Sequence, residues 1–237
     1  MLVDDHPVVR ECLAQRILLE PDIDISATCE SCAQTLEALK KHLPDVAVVD
    51  LSLADGHGLD LIKEIHILHP EVRLLVFSMH DENVYGERAL RAGALGYVMK
   101  DESPAMVISG IRTVLDRKIA ISPNLSDRML KAAANGHAHG GKPAMERLTD
   151  RELEIFELIG RGFGTKNIAD RLHRSVKTVE THRMRLKEKL DVKANAELIA
   201  KAACWVQETD RNSGARIGPK SLRSSRSAEK AMCGRPL

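Results

Sequence analysis

Five polar side chains of this 237-residue chain each stand just after a short apolar run: Asp4, Asp5, Asp50, Ser78 and Lys100. Three carboxylates brought together at buried strand ends repel one another, so the arrangement makes physical sense chiefly with a cation present. A hard divalent ion such as Mg2+ takes oxygen ligands and keeps several waters, which suits two or three carboxylates and a backbone carbonyl. Asp50 is then a candidate nucleophile toward phosphorus. The ion would neutralise both the carboxylate and an incoming phosphoryl group, Lys100 would hold another phosphoryl oxygen, and the Ser78 hydroxyl would donate to the group once it is present. Taken singly, acidic residues at strand ends are ordinary helix caps and a Lys-Asp pair after a strand is commonplace. Their joint order is what points to chemistry.

The elements that must position them are legible in the first 120 residues. Val3 closes a truncated apolar run, and residues 8–19 follow with a helical pattern. A strand is expected over 23–28, a helix over 35–43 stopped by Pro44, and a doubly buried strand at Val46, Ala47, Val48 and Val49. Further helices are expected over 59–68, 84–92 and 104–115, and further strands over 72–77 and 96–99. Five β-α repeats predict a doubly wound, flavodoxin-like five-stranded parallel sheet with helices on both faces and its ligand site at the carboxyl ends of the strands. The chain divides into an α/β domain (1–118), a Gly/Pro-punctuated linker (119–145), a small all-α four-helix domain (146–209) and a basic tail (210–237) without large apolar content, for which disorder is expected.

The α/β part resembles the response-regulator receivers, in particular those of the NarL/FixJ family. The matching stretches are Leu2-Val3-Asp4-Asp5-His6-Pro7-Val8-Val9-Arg10, Val48-Val49-Asp50-Leu51-Ser52-Leu53, Phe77-Ser78 and Ala92-Gly93-Ala94-Leu95-Gly96-Tyr97-Val98-Met99-Lys100-Asp101. The resemblance implies that Asp50 accepts a phosphoryl group from a partner histidine kinase. It also implies that Asp4 and Asp5 help hold Mg2+, with Asp5, Asp50 and the Ser52 carbonyl as direct ligands, and that Ser78, Tyr97 and Lys100 form the switch. Two departures stand out. Only Met1, Leu2 and Val3 precede the acidic pair, so the first strand is short and should cost stability unless the true start lies upstream; and Ala54 stands where a Pro is common.

From Leu148 the pattern is helical. Thr149 and Glu152 form a capping-box pair before Leu153, Ile155, Phe156, Leu158 and Ile159, Gly162 and Gly164 end that helix, residues 168–172 are short, and 194–205 make the last helix. Ser175 caps a third helix whose exposed face offers Lys177, Thr178, Glu180, Thr181, Met184 and Arg185, while Val176, Val179, Leu186 and Leu190 return to the core. That division suits a helix entering a major groove. Standing alone it would be an ordinary amphipathic helix. Leu148-Thr149-Asp150-Arg151-Glu152, Gly162-Phe163-Gly164-Thr165-Lys166-Asn167-Ile168-Ala169 and Ser175-Val176-Lys177-Thr178-Val179-Glu180-Thr181-His182 resemble the LuxR-type helix-turn-helix. The resemblance implies a homodimer on a two-part double-stranded site, DNA contacts that include His182, and phosphate contacts from Lys166 and Arg183; here Lys166-Asn167 reverses the usual order.

Charge separates the two parts. Residues 1–120 carry 12 basic against 20 acidic side chains, whereas residues 161–189 carry nine basic against three acidic, so a polyanion is a partner for the second part only. No run is long and apolar enough to span a membrane and no leader-like segment opens the chain, so a cytoplasmic protein is expected. Five scattered cysteines argue against a disulfide framework; Cys29 and Cys32 have redox spacing but no second pair or nearby His, and His137 and His139 are read as part of a solvated hinge.

The resulting expectation is a phosphorylation-switched transcription factor, not an enzyme, whose receiver covers or misplaces the recognition helix until Asp50 is phosphorylated. Three alternatives compete with it. A phosphorylation-independent regulator with a degenerate receiver remains open; an aspartyl-phosphate phosphohydrolase would need a second acid two residues after its nucleophile, where Ser52 stands; a ligand-sensing LuxR regulator would want an aromatic-lined pocket, and the chain has three Phe, two Tyr and one Trp.

Overall fold

A computed structural model describes residues 1–134 and 144–214. Its sheet is built from β1 (Leu2–Val3), β2 (Thr28–Cys29), β3 (Val46–Val49), β6 (Arg73–Ser78) and β7 (Gly96–Met99), all parallel and ordered β2-β1-β3-β6-β7. β4 (Ser52–Leu53) and β5 (Gly56–His57) form a small antiparallel hairpin beside it. The pleat sorts the strands onto two apolar layers. Leu2, Val46, Val48, Leu75 and Val98 face α1 (Pro7–Ile17) and α5 (Pro104–Leu115), which contribute Leu13, Ile17, Val107, Ile108, Ile111 and Val114. Val3, Ala47, Val49, Leu74, Val76 and Tyr97 face the other way, toward α2 (Cys32–Leu39), α3 (Gly58–Leu68) and α4 (Glu82–Ala92).

Departures from the expected elements have local causes. The strand expected over 23–28 shrinks to Thr28–Cys29, because its neighbour β1 offers only Leu2 and Val3 to pair with. Helix α2 starts earlier than expected, at Cys32, because the Ser31 hydroxyl accepts the Gln34 amide as an N-cap. The hairpin at 52–57 was not anticipated. The segment 119–145, read as linker, is not all loop: Ala120 bridges Gly96 at the edge of the sheet, and α6 (Pro123–Ala134) docks on α4. Gly86 permits that docking, since a Cβ there would lie 2.5 Å from Leu125 Cδ2, and Leu125 is buried in the contact. His137 and His139 fall outside the described residues.

After a 3-10 turn (Ala144–Arg147) come four helices, α7 (Asp150–Gly160), α8 (Thr165–Arg171), α9 (Val176–Leu190) and α10 (Asn195–Gly214). The capping box at Thr149 and Glu152 forms with both of its hydrogen bonds. Phe156, Ile159, Ile168, Val179, Leu186, Leu190 and Leu198 close the core. α10 runs through Asp210 to Gly214, so the start of the expected tail is helical; the rest of it lies outside the described residues. One apolar cluster continues from the α3/α4 side of the sheet into this helical unit. Among the described residues, no helix is long and apolar enough to cross a membrane.

Candidate phosphoryl-acceptor pocket and recognition helix

The pocket assembles where the sequence places it, at the carboxyl ends of four adjacent strands. Asp4 follows β1, Asp50 follows β3, Ser78 ends β6 and Lys100 follows β7. The Lys100 ammonium lies 2.7 Å from Asp50 Oδ2 and 2.6 Å from Asp4 Oδ2, with all three side chains nearly buried. The Asp50 Oδ1 atom is buried and has no hydrogen-bond partner among the described residues. Burial pushes the Asp50 carboxyl up from its ordinary value, while the Lys100 ammonium pulls it back. Burial likewise disfavours the charge on Lys100, yet Asp50 and Asp4 hold its pKa above the ordinary lysine value.

Ligand oxygens of Asp4, Asp5 and Asp50 lie within 4.8 Å of one another together with a nitrogen of His6, a residue the sequence reading did not single out. His6 Nδ1 stands 2.7 Å from Asp5 Oδ1. Three converging carboxylates, one with an unanswered buried oxygen, fit a hard cation. The backbone is held close at this point: α3 begins at Gly58, where a Cβ would lie 2.2 Å from the Asp50 carbonyl oxygen. Ser52, two residues past Asp50, turns its hydroxyl to His80 Nε2 at 3.1 Å. Tyr97 is buried and its hydroxyl donates to the His80 carbonyl at 2.7 Å.

Cys29 and Cys32 are free thiols at the end of β2 and the start of α2. Burial pushes the Cys29 thiol up, and burial with the Asp55 carboxylate takes Cys32 up to about 12, which leaves two unreactive residues at a strand-to-helix turn.

On α9, Lys177, Thr178, Glu180, Met184 and Arg185 are exposed, as is Lys166 on α8. Thr181, His182 and Arg183 are half-buried, with the Thr181 hydroxyl already donating to the Lys177 carbonyl. Burial lowers both the His182 and the Arg183 pKa. Val179, Leu186 and Leu190 are buried as expected, but Val176, expected in the core, is 42% exposed because it sits in the first turn, beyond the edge of α7 and α8. Nor does the receiver cover the exposed side of α9. It packs instead on α7 and α10, through Arg88 to the Asp150 carboxylate at 2.8 Å and the Leu148 and Met145 carbonyls at 2.9 Å, and through Lys63 to Asp150 at 2.8 Å.

Residues 1–112 match the response regulator receiver domain, and residues 146–202 match the bacterial regulatory proteins of the luxR family. The oxygen regulatory protein NreC of Staphylococcus haemolyticus is 33% identical over 204 residues, covering 84% of this chain and 94% of that protein. The chain is a two-component response regulator of the NarL/FixJ family. NreC of Staphylococcus carnosus is 32% identical over 203 residues with the same coverage. Among solved structures, RcsB of Salmonella enterica serovar Typhimurium bound to the rprA promoter with the phosphomimetic BeF3− has a TM-score of 0.57 at 24% identity, over 85% of this chain and 96% of that one. A second RcsB–DNA complex has the same TM-score at 23% identity, over 84% of this chain and 95% of that one. This response regulator therefore joins a receiver to a LuxR-type DNA-binding domain and regulates transcription within a two-component system, a family that works with histidine kinases and DNA.

Proposed function

We propose that Asp50 is the phospho-acceptor and that its phosphorylation shifts the population of this response regulator toward a DNA-competent homodimer. The buried, unpartnered Asp50 Oδ1 beside Asp4, Asp5 and Lys100 is the observation that carries the reading. In the transfer, an Asp50 carboxylate oxygen bonds to phosphorus as the P–N bond of a kinase phosphohistidine breaks, and the imidazole keeps the electron pair. Lys100 leaves its bridging position to hold a phosphoryl oxygen, and the Ser78 hydroxyl donates to another. Asp5, Asp50 and the Ser52 carbonyl, supported by Asp4, would hold Mg2+, which supplies neutralisation of the phosphoryl oxygens. The protein acts on no other substrate and works in the cytoplasm.

The receiver body in this proposal runs through α6 to residue 134, and the DNA-binding unit spans residues 144–214. Lys177, Thr178, Glu180, Met184 and Arg185 present the reading face of α9. Lys166 and Arg183 serve phosphates, and Thr181 and His182 stand at the edge of the contact. The test is treatment with a small-molecule phosphodonor and Mg2+, reading intact mass and affinity for duplex DNA together. One phosphoryl group should add to wild type, none to Asp50→Ala, and DNA affinity should rise only where the group is added. Mass gain that persists in Asp50→Ala, or an Asp50→Ala protein that binds DNA as tightly as phosphorylated wild type, would overturn the reading.

A further inference from the structure

Between the pocket and the recognition helix lies a buried polar junction that neither site uses. The His80 imidazole, 15% exposed, is threaded between the two parts of the molecule. Its Nε2 meets the Ser52 hydroxyl beside the phospho-acceptor, and its Nδ1 lies 3.3 Å from Glu157 Oε2 on α7 of the DNA-binding unit. The same carboxylate oxygen accepts from the Tyr85 hydroxyl at 3.2 Å, while Arg161 donates to its other oxygen at 3.1 Å. The Tyr85 ring packs on the imidazole with centroids 4.5 Å apart. The main chain of His80 is held by the switch itself: its carbonyl accepts from Tyr97, and its amide lies 3.4 Å from the Ser78 hydroxyl.

We propose that His80 and Glu157 form an interdomain latch that holds the DNA-binding unit against the receiver and lets go when Asp50 is phosphorylated. The inference rests on Asp50 being the acceptor. A phosphoryl group adds roughly −1.5 to −2 charges on the Ser52 side of the imidazole, so a second anion then competes with Glu157 for the ring. Ser78 is two residues from His80 and its hydroxyl accepts the His80 amide at 3.4 Å, so a hydroxyl that turns to a phosphoryl oxygen moves a group in contact with the His80 main chain. Both effects pull the ring away from Glu157. The closed arrangement opposes DNA without covering α9: Arg174, which precedes the Ser175 cap, has its guanidinium 3.5 Å from the Asp55 carbonyl. The acidic receiver therefore stands beside the end of the recognition helix that enters a groove, where it would repel phosphates.

Trp205, the chain's single Trp, gives a readout that needs no DNA. It lies on α10 against Phe156 and lines a cleft with Val84 and Tyr85 of α4 and Glu157 of α7. In the full chain without phosphodonor, Glu157→Gln and His80→Ala should each red-shift Trp205 emission to the position of phosphorylated wild type. Each should also bind a duplex, selected from random sequence on the phosphorylated protein, about tenfold tighter than unphosphorylated wild type. The double variant should add little to either single one. Variants that keep the unphosphorylated wild-type emission and affinity, yet take up a phosphoryl group and respond to it as wild type does, would overturn the latch. Failure of wild type itself to take up the group overturns the reading beneath it, and the phosphodonor-free comparison still decides whether His80 and Glu157 hold the units together.

Discussion

The acceptor pocket and the recognition helix are both charged, and they treat charge in opposite ways. In the pocket, Asp4, Asp50 and Lys100 are nearly buried, and the one ammonium bridges the two carboxylates. On α9, Lys177 and Arg185 stand in solvent beside an exposed Glu180. A site for one small, highly charged group gains from low dielectric and fixed partners, because electrostatics there need no reorganisation. A site for a polymer gains from charges left free to exchange counterions for phosphates. The same residue types therefore carry different consequences when removed from each place.

The largest contrast comes from the nucleophile. Asp50→Ala should abolish mass gain from phosphodonor entirely, whereas no substitution on α9 should change it. Next is Lys100→Met, which strands two buried carboxylates. Breaking a buried pair costs on the order of 3–5 kcal/mol, so urea unfolding in Mg2+-free buffer should show a loss of about that size, smaller when Mg2+ is added. Equal loss with and without Mg2+ would mean that the carboxylates do not share a cation. In the helical unit, Leu186→Ala should cost about 2–5 kcal/mol of unfolding free energy through the cavity it leaves, without altering phosphorylation. Lys166→Ala should leave stability alone and lower the slope of log affinity against log salt by about one, read by titration at several salt concentrations. The smallest effect is expected for Val176→Ala: at 42% exposure, its stability change should stay within about 0.5 kcal/mol. A larger loss would return Val176 to the core where the sequence pattern put it.

Much of this was written locally. Doubly buried strands announce themselves as apolar runs such as residues 46–49, and a Thr149–Glu152 pair before an apolar period marks a helix start. The pocket was legible because each of its members follows such a run. What the sequence withheld depends on pairing. The length of β2 is set by β1, whose Leu2 pairs with Thr28, and no local pattern in 23–28 could tell of a partner only two residues long. His6 joins the acidic cluster through the turn into α1, and nothing in its spacing distinguishes it from a solvated histidine. The junction of His57, His80, Tyr85, Glu154 and Glu157 was invisible for the same reason: each is an ordinary residue on its own element, and their meeting is a property of docking. Of the two arrangements expected, a covered or a misplaced α9, the first is not seen, because Arg88 and Lys63 pair with Asp150 at the start of α7.

The docking of α6 on α4 has a further consequence, for the strength of any contact between the two halves. With α6 fixed to the receiver, only residues 135–143 separate the two described bodies, where the sequence reading allowed 119–145. Nine residues reach at most about 30 Å when fully extended. A DNA-binding unit on so short a tether meets its own receiver at an effective concentration in roughly the millimolar range. A junction whose intrinsic dissociation constant lies below that range is then mostly closed at any cellular abundance of the protein. The balance between closed and open forms thus becomes a property of the single chain, set by the junction and the tether, and dilution cannot undo it.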